Sequence, residues 1–169
     1  MSVDTHGLST GAVSGPSEDA NGVFETGPLI VGCDGSTSAT AALLWSTGTG
    51  LPLVVVRVLE PRPPGAARDP WDVTNASLVF AAHVKAAAPT LQECAWRAEL
   101  VEACCPAAGL AASARRHGAS GIVVGSHGAR QASSVLGTEA HQLLAQSDVP
   151  VVVIPPQAGA RLLHAAAGG

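Results

Sequence analysis

The sequence predicts a three-layer α/β/α domain built on a five-stranded parallel sheet. Short β-branched runs alternate with alanine-rich stretches of helical length, and the runs are apolar almost without interruption. Such runs read as strands covered on both faces, and their alternation with helices demands right-handed crossovers and a parallel sheet. At 169 residues the chain has room for one domain with a real core.

Residues 1–27 are rich in Gly, Ser, Thr and acid with almost no apolar periodicity. They cannot bury enough surface to offset their ordering entropy, which predicts a disordered tail. "PLIVGCD" (28–34) is strand one. "SATAALLWSTG" (38–48) is a helix with Ala41, Leu44 and Trp45 at core spacing, ending at Gly48. "LPLVVVRVL" (51–59) is strand two. The four prolines and one glycine of "EPRPPGAARDPWD" exclude regular structure. A helix then runs from about Asn75 to Ala88 and stops at Pro89. "AWRAELVEA" (95–103) alternates Trp96, Ala98 and Leu100 against Arg97 and Glu99, as a third strand near an exposed edge does. Pro106 opens the next helix, to about His117. "SGIVV" (120–124) is strand four, Gly137 to about Gln146 the last helix, and "VPVVVIP" (149–155) strand five. The domain is expected over 28–156, with 157–169 a flexible extension.

Charge narrows the function. The formal net charge of -4 is accounted for by Asp4, Glu18, Asp19 and Glu25, which face no Lys or Arg before residue 29. The remaining nine acids balance nine Lys and Arg. A neutral body, in a chain with only five Trp and Phe and no Tyr, offers nucleic acid neither an electrostatic footprint nor stacking platforms. No apolar run is long enough to cross a bilayer, and the N-terminus lacks a signal-peptide pattern, so a cytoplasmic location is expected. Cys33, Cys94, Cys104 and Cys105 have no metal-ligand spacing and form no CxxC motif. Reduced thiols are expected, not zinc or a structural disulfide.

Ligands of open parallel sheets bind beyond the strand ends, where the winding reverses, so the residues after strands one, two and four are the candidates. Strand four delivers "GSHG", and a further glycine, Gly137, opens the helix that follows. Glycines let backbone N–H groups approach an anion, and a helix start leaves donors unpaired, so phosphate binding is chemically reasonable. Yet there is no GxGxxG after a strand, no GxxxxGK[ST], and no glycine two residues before Ser126 to make a nucleophile elbow. Dinucleotide, P-loop and hydrolase readings fall away.

"LIVGCDGSTSATAALLW", "VVVRVLEP" and "IVVGSHGARQASSVLGTEAHQLLAQSDVPVVVIPP" resemble the universal stress protein family over roughly 29–156. The resemblance is to the single-domain, adenine-nucleotide-binding branch, and it implies a Rossmann-like (HUP-type) open sheet. It implies Asp34 and Val58 against an adenine, and Gly125 and Gly128 along the ribose and first phosphates. Gly137, Thr138 and the Glu139 backbone N–H would hold the outer phosphates. ATP, with or without Mg2+, is the implied ligand. A homodimer through the strand-five edge (Val151, Val152, Val153) is the implied assembly, since an open edge invites pairing. A carboxylate at a strand end can accept from an exocyclic amine, and a hydroxyl at a helix start suits a phosphate. Eight residues, 129–136, separate Gly128 from Gly137 where the family motif has nine. That spacing leaves a second reading, a non-nucleotide-binding dimeric interaction module of the same fold.

Each candidate has a plainer role beside the sharper one. Asp34 can cap the turn through Gly35 and Ser36. His127 reads as an exposed loop histidine, and Arg130 as a screen for phosphate charge or a solvated arginine. Cys33 suits a small buried strand-end position. Nothing resembles an acid–base pair or a metal cluster, so no catalytic residue is assigned.

Overall fold

The computed structural model describes residues 27–60, 70–92, 94–127 and 137–158. Five strands form one parallel sheet: β1 (Leu29–Gly32), β2 (Leu53–Leu59), β3 (Trp96–Glu102), β4 (Gly121–Gly125) and β5 (Val151–Ile154), in the order β3-β2-β1-β4-β5. Four helices connect them: α1 (Thr37–Thr47), α2 (Pro70–Leu91), α3 (Pro106–His117) and α4 (Thr138–Gln146).

Alternation along the strands divides the interior into two cores. Leu29 and Val31 of β1, Leu53 and Val55 of β2 and Val123 of β4 meet Ala41, Leu43, Phe80, Val84 and Leu91 of α1 and α2. Ile30, Val54, Val56, Ile122 and Val124 meet Ala107, Leu110 and Ala111 of α3 and Ala140 and Leu143 of α4. Right-handed crossovers explain this split, since the chain winds β1 to β3 in one direction and returns past β1 to β4 and β5 in the other. Both faces of the central strands are therefore dry, which is why their sequences read as unbroken apolar runs.

The three-layer parallel class holds, with instructive differences in detail. In α1 the buried apolar side chains are Ala39, Ala41, Ala42 and Leu43, while Leu44 and Trp45 are half-buried. With apolar residues at every position from Ala41 to Trp45, periodicity cannot choose the face. Helix α2 begins at Pro70, earlier than expected, and carries Pro89 within its last turn. Proline at a first helical position loses no hydrogen bond, and near a helix end its missing N–H disrupts little. Helix α3 has its expected bounds: Pro106 sits at its start, and Gly118, left-handed at φ 55, closes it. Strands β3 and β5 are the two edges.

Gly27 is held at the base of the sheet, its carbonyl accepting from Ser120 Oγ at 2.6 Å. The remainder of the expected tail, 1–26, lies outside the described residues, as does 159–169 of the expected extension. All four cysteines are free thiols: Cys33 and Cys94 are buried, Cys104 is exposed, and Cys105 is half-buried before α3.

Candidate functional site

The reversal of winding falls between β1 and β4, and a cleft of about 130 Å³ opens there beyond the strand ends. Asp34, Val58, Gly125, Gly137 and Glu139 line it together, although they are drawn from β1, β2, β4 and α4. Thr138, the first residue of α4, is exposed and does not line the cleft, whereas its neighbour Glu139 is half-buried and does. Gly128 and Arg130 lie outside the described residues.

Each position has a local cause. Asp34 Oδ1 accepts from the Ser36 N–H at 2.8 Å, turning the chain from β1 into α1, and Ser36 Oγ then caps the helix by accepting from the Ala39 N–H at 3.1 Å. The intervening Gly35 has φ 86, and a Cβ there would lie 2.7 Å from His83 Cε1 of α2. Only glycine fits that turn. The carboxylate is thus a turn-former, and it is also exposed at the mouth of the cleft.

The opposite wall is set by a close approach. A Cβ on Gly125 would lie 2.5 Å from Ser38 Oγ and 2.6 Å from the Ser38 carbonyl carbon, so α1 can cross the end of β4 only over a glycine. Ser38 Oγ and, at 3.4 Å, Ser36 Oγ donate to the His127 carbonyl, fastening the start of α1 to the residues that follow β4. Ser126 is buried; its N–H donates to the Ile154 carbonyl at 2.9 Å, and its hydroxyl lies 2.9 Å from His127 Nδ1. The Ser126 carbonyl in turn accepts from the Gly137 N–H at 2.7 Å, placing the start of α4 beside the end of β4. Val58 forms a side wall against α3, where a Cβ on Gly109 would lie 2.7 Å from Val58 Cγ2.

One site residue escapes the reading of the sequence, and a second, Cys33, is buried as expected but also lines the cleft. Arg57 lines the cleft, donates from Nη1 to the Asp34 carbonyl at 3.3 Å, and has a buried Nε without a hydrogen-bond partner among the described residues. Its signal was a single cation inside the apolar run "VVVRVL" at the functional end of a strand. Cys33 also lines the cleft; burial pushes its thiol pKa up, opposed by a hydrogen bond from the Gly35 backbone, raised further by Asp34 and lowered by Arg57. Such a thiol stays protonated and unreactive near neutral pH.

This donor set suits a nucleotide. Val56, Val58, Leu110, Val124 and Leu143 supply apolar wall for a ring. Gly137 and Pro106 bring the starts of α4 and α3 to the rim, and neither helix has a side-chain cap hydrogen bond. Uncapped first-turn amides are ready anion donors. Among the described residues no His, Cys, Asp and Glu cluster able to hold a metal ion occurs, and no helix is long and apolar enough to cross a membrane.

Comparison with known proteins matches this geometry to a family. Several solved structures share the fold. One is a protein of the universal stress protein family from Burkholderia pseudomallei, 28% identical, with TM-score 0.54, covering 75% of this chain and 94% of that one. Another is the universal stress protein from Archaeoglobus fulgidus in complex with dAMP, 21% identical, with TM-score 0.59, covering 78% and 99%. A third, a universal stress protein in complex with cAMP, is 17% identical with TM-score 0.60, covering 76% and 96%. No curated protein matches the chain. The model of the universal stress protein family matches residues 26–155. The chain belongs to the universal stress protein family.

Proposed function

We propose that this protein binds ATP in the cleft between β1 and β4 as a regulatory ligand, acting as a cytoplasmic stress-response protein whose binding domain spans 28–156. The observation that carries the reading is the convergence of Asp34, Val58, Gly125, Gly137 and Glu139 on one cleft at the reversal of winding. Two proteins of the same fold are known in complex with dAMP and cAMP, which supports a nucleotide as the ligand class. The adenine lies against Val58 with Asp34 at its amine edge, and the phosphates lie toward Gly125, Gly137 and the first turn of α4.

The assembly proposed is a homodimer through the β5 edge. Val151, Val152 and Val153 are half-buried there, whereas the other edge strand, β3, carries Arg97, Glu99 and Glu102. Charges protect an open edge from pairing and valines invite it.

Calorimetric titration with ATP, with and without Mg2+, tests the binding. Asp34→Asn keeps a side-chain oxygen for the Ser36 N–H but removes the charge, and should weaken binding about five- to tenfold if the carboxylate receives the exocyclic amine. A native chain that binds no nucleotide at millimolar concentration leaves the interaction-module reading in its place, the reading favoured by the eight residues between Gly128 and Gly137. Unchanged affinity in Asp34→Asn moves the base away from β1.

A further inference from the structure

The wall of the cleft carries an acid where the nucleotide reading puts the phosphates. Glu139 is the second residue of α4, half-buried and lining the cleft, while Thr138 before it is exposed. An acid in a helix's first turn is stabilised by the positive end of the helix dipole. That same field is what an anionic ligand at this helix start draws upon. A carboxylate and a phosphate at the start of α4 therefore draw on the same helix field.

Among the described residues, the charges around the cleft do not relieve that competition. Among the described lining residues the permanent charges are Asp34, Glu139 and one cation, Arg57. Arg57 is at the β1–β2 end, bonded to the Asp34 carbonyl, across the cleft from α4. At the phosphate end the described groups are thus Glu139, the His127 ring, and backbone amides of α4 whose dipole amounts to about half a charge. One phosphate can be accommodated by such amides. A free triphosphate brings several negative charges to a wall that already holds one.

Resting on the nucleotide reading of this cleft, we propose that Glu139 makes phosphate charge the quantity the site discriminates. The site takes a nucleoside monophosphate, or a triphosphate whose charge a divalent cation has neutralised, and rejects the free triphosphate. Glu139 acts as a specificity residue through repulsion, so removing its charge improves the binding of the disfavoured ligand instead of impairing that of the favoured one. This inverts what a merely structural role for the side chain would give, in which all ligands weaken together.

The test is titration calorimetry of the full chain with adenosine, AMP, ATP in chelator and ATP with excess Mg2+, comparing native protein with Glu139→Gln and Glu139→Ala. In the native chain free ATP should bind about tenfold or more weakly than ATP with Mg2+. Both variants should tighten free ATP by roughly five- to tenfold, AMP by less, and adenosine not at all, with the gain shrinking as salt is raised. Retained nucleotide binding with no change in the free-ATP to adenosine ratio in either variant overturns this inference and leaves the nucleotide reading intact. Failure of the native chain and both variants to bind any of the four ligands overturns both.

Discussion

Gly125 shows how narrowly a single position can be specified. Its missing Cβ would meet the oxygen and the carbonyl carbon of Ser38 at 2.5 and 2.6 Å, and one of those atoms is backbone that cannot swing aside. Gly125→Ala should therefore lift α1 from β4, break the Ser38 bond to the His127 carbonyl, and lower stability by about 2–4 kcal/mol in urea unfolding. Gly50, where an added Cβ would meet nothing within 4 Å, is the contrasting case, strained only by its φ of 71. Ala at 50 should cost about 1–2 kcal/mol, the intrinsic left-handed penalty, and a loss as large as that at 125 would refute the steric account. At this scale the sequence was legible in part. A glycine after a strand signalled a functional loop, but the reason for Gly125, a helix passing over it, is a tertiary contact invisible in one dimension. Thr138 shows what the helix start adds to that reading: its hydroxyl suits a phosphate chemically, while the residue lining the cleft at this turn is its neighbour Glu139.

Among the elements, β3 is tied to the end of α3 by an ionic cluster beside the apolar packing of Val101. Glu99 of β3 lies 2.7 Å from Arg116 Nη2, 2.8 Å from His117 Nε2 and 3.4 Å from Arg97 Nε. Burial alone would raise its pKa, but the His117 hydrogen bond and the charges of His117, Arg116 and Arg97 together outweigh it and hold the carboxyl below the usual value of 4.5. A carboxylate depressed in the folded state stabilises the fold fully above the unfolded pKa and loses that contribution as pH falls through the folded one. Glu99→Gln should cost about 1–2 kcal/mol at neutral pH, and the gap between native and variant should close on acidification below about pH 4. A gap that does not narrow at all as the pH falls would assign the loss to packing. The elements themselves were mostly readable. Helix α3 carries its own punctuation in Pro106 and Gly118, whereas α2 extends past both expected bounds, because Pro70 reads as part of a proline-rich loop and Pro89 as a stop.

For the whole molecule, the decisive fact is that β5 is an edge whose pairing groups alternate. The carbonyls of Pro150 and Ile154 accept from Ile122 and Ser126 of the β4 side, so by strand alternation Val151 and Val153 turn their backbone groups outward. Val153→Pro removes one outward N–H and no bond to β4, a substitution edge strands tolerate. Light scattering after size-exclusion chromatography should then report a monomer in place of a dimer, with the fold retained by circular dichroism. A variant that remains dimeric would place the interface elsewhere. The layers, the parallel sheet and the strand ends that carry the cleft followed from alternation and crossover handedness; the strand order did not, because right-handed crossovers alone do not say which strands become neighbours.

The crossing of α1 over Gly125 also bears on how the pocket can be altered. The position admits one residue, and the helix start it supports shares a hydrogen-bonded knot with the chain after β4. A substitution at the crossing therefore alters the path of the backbone, whereas a substitution of Arg57 or Glu139 alters the charge of the lining. Shape and charge in this pocket are thus set by different residues, and the first is fixed by an atom that glycine lacks.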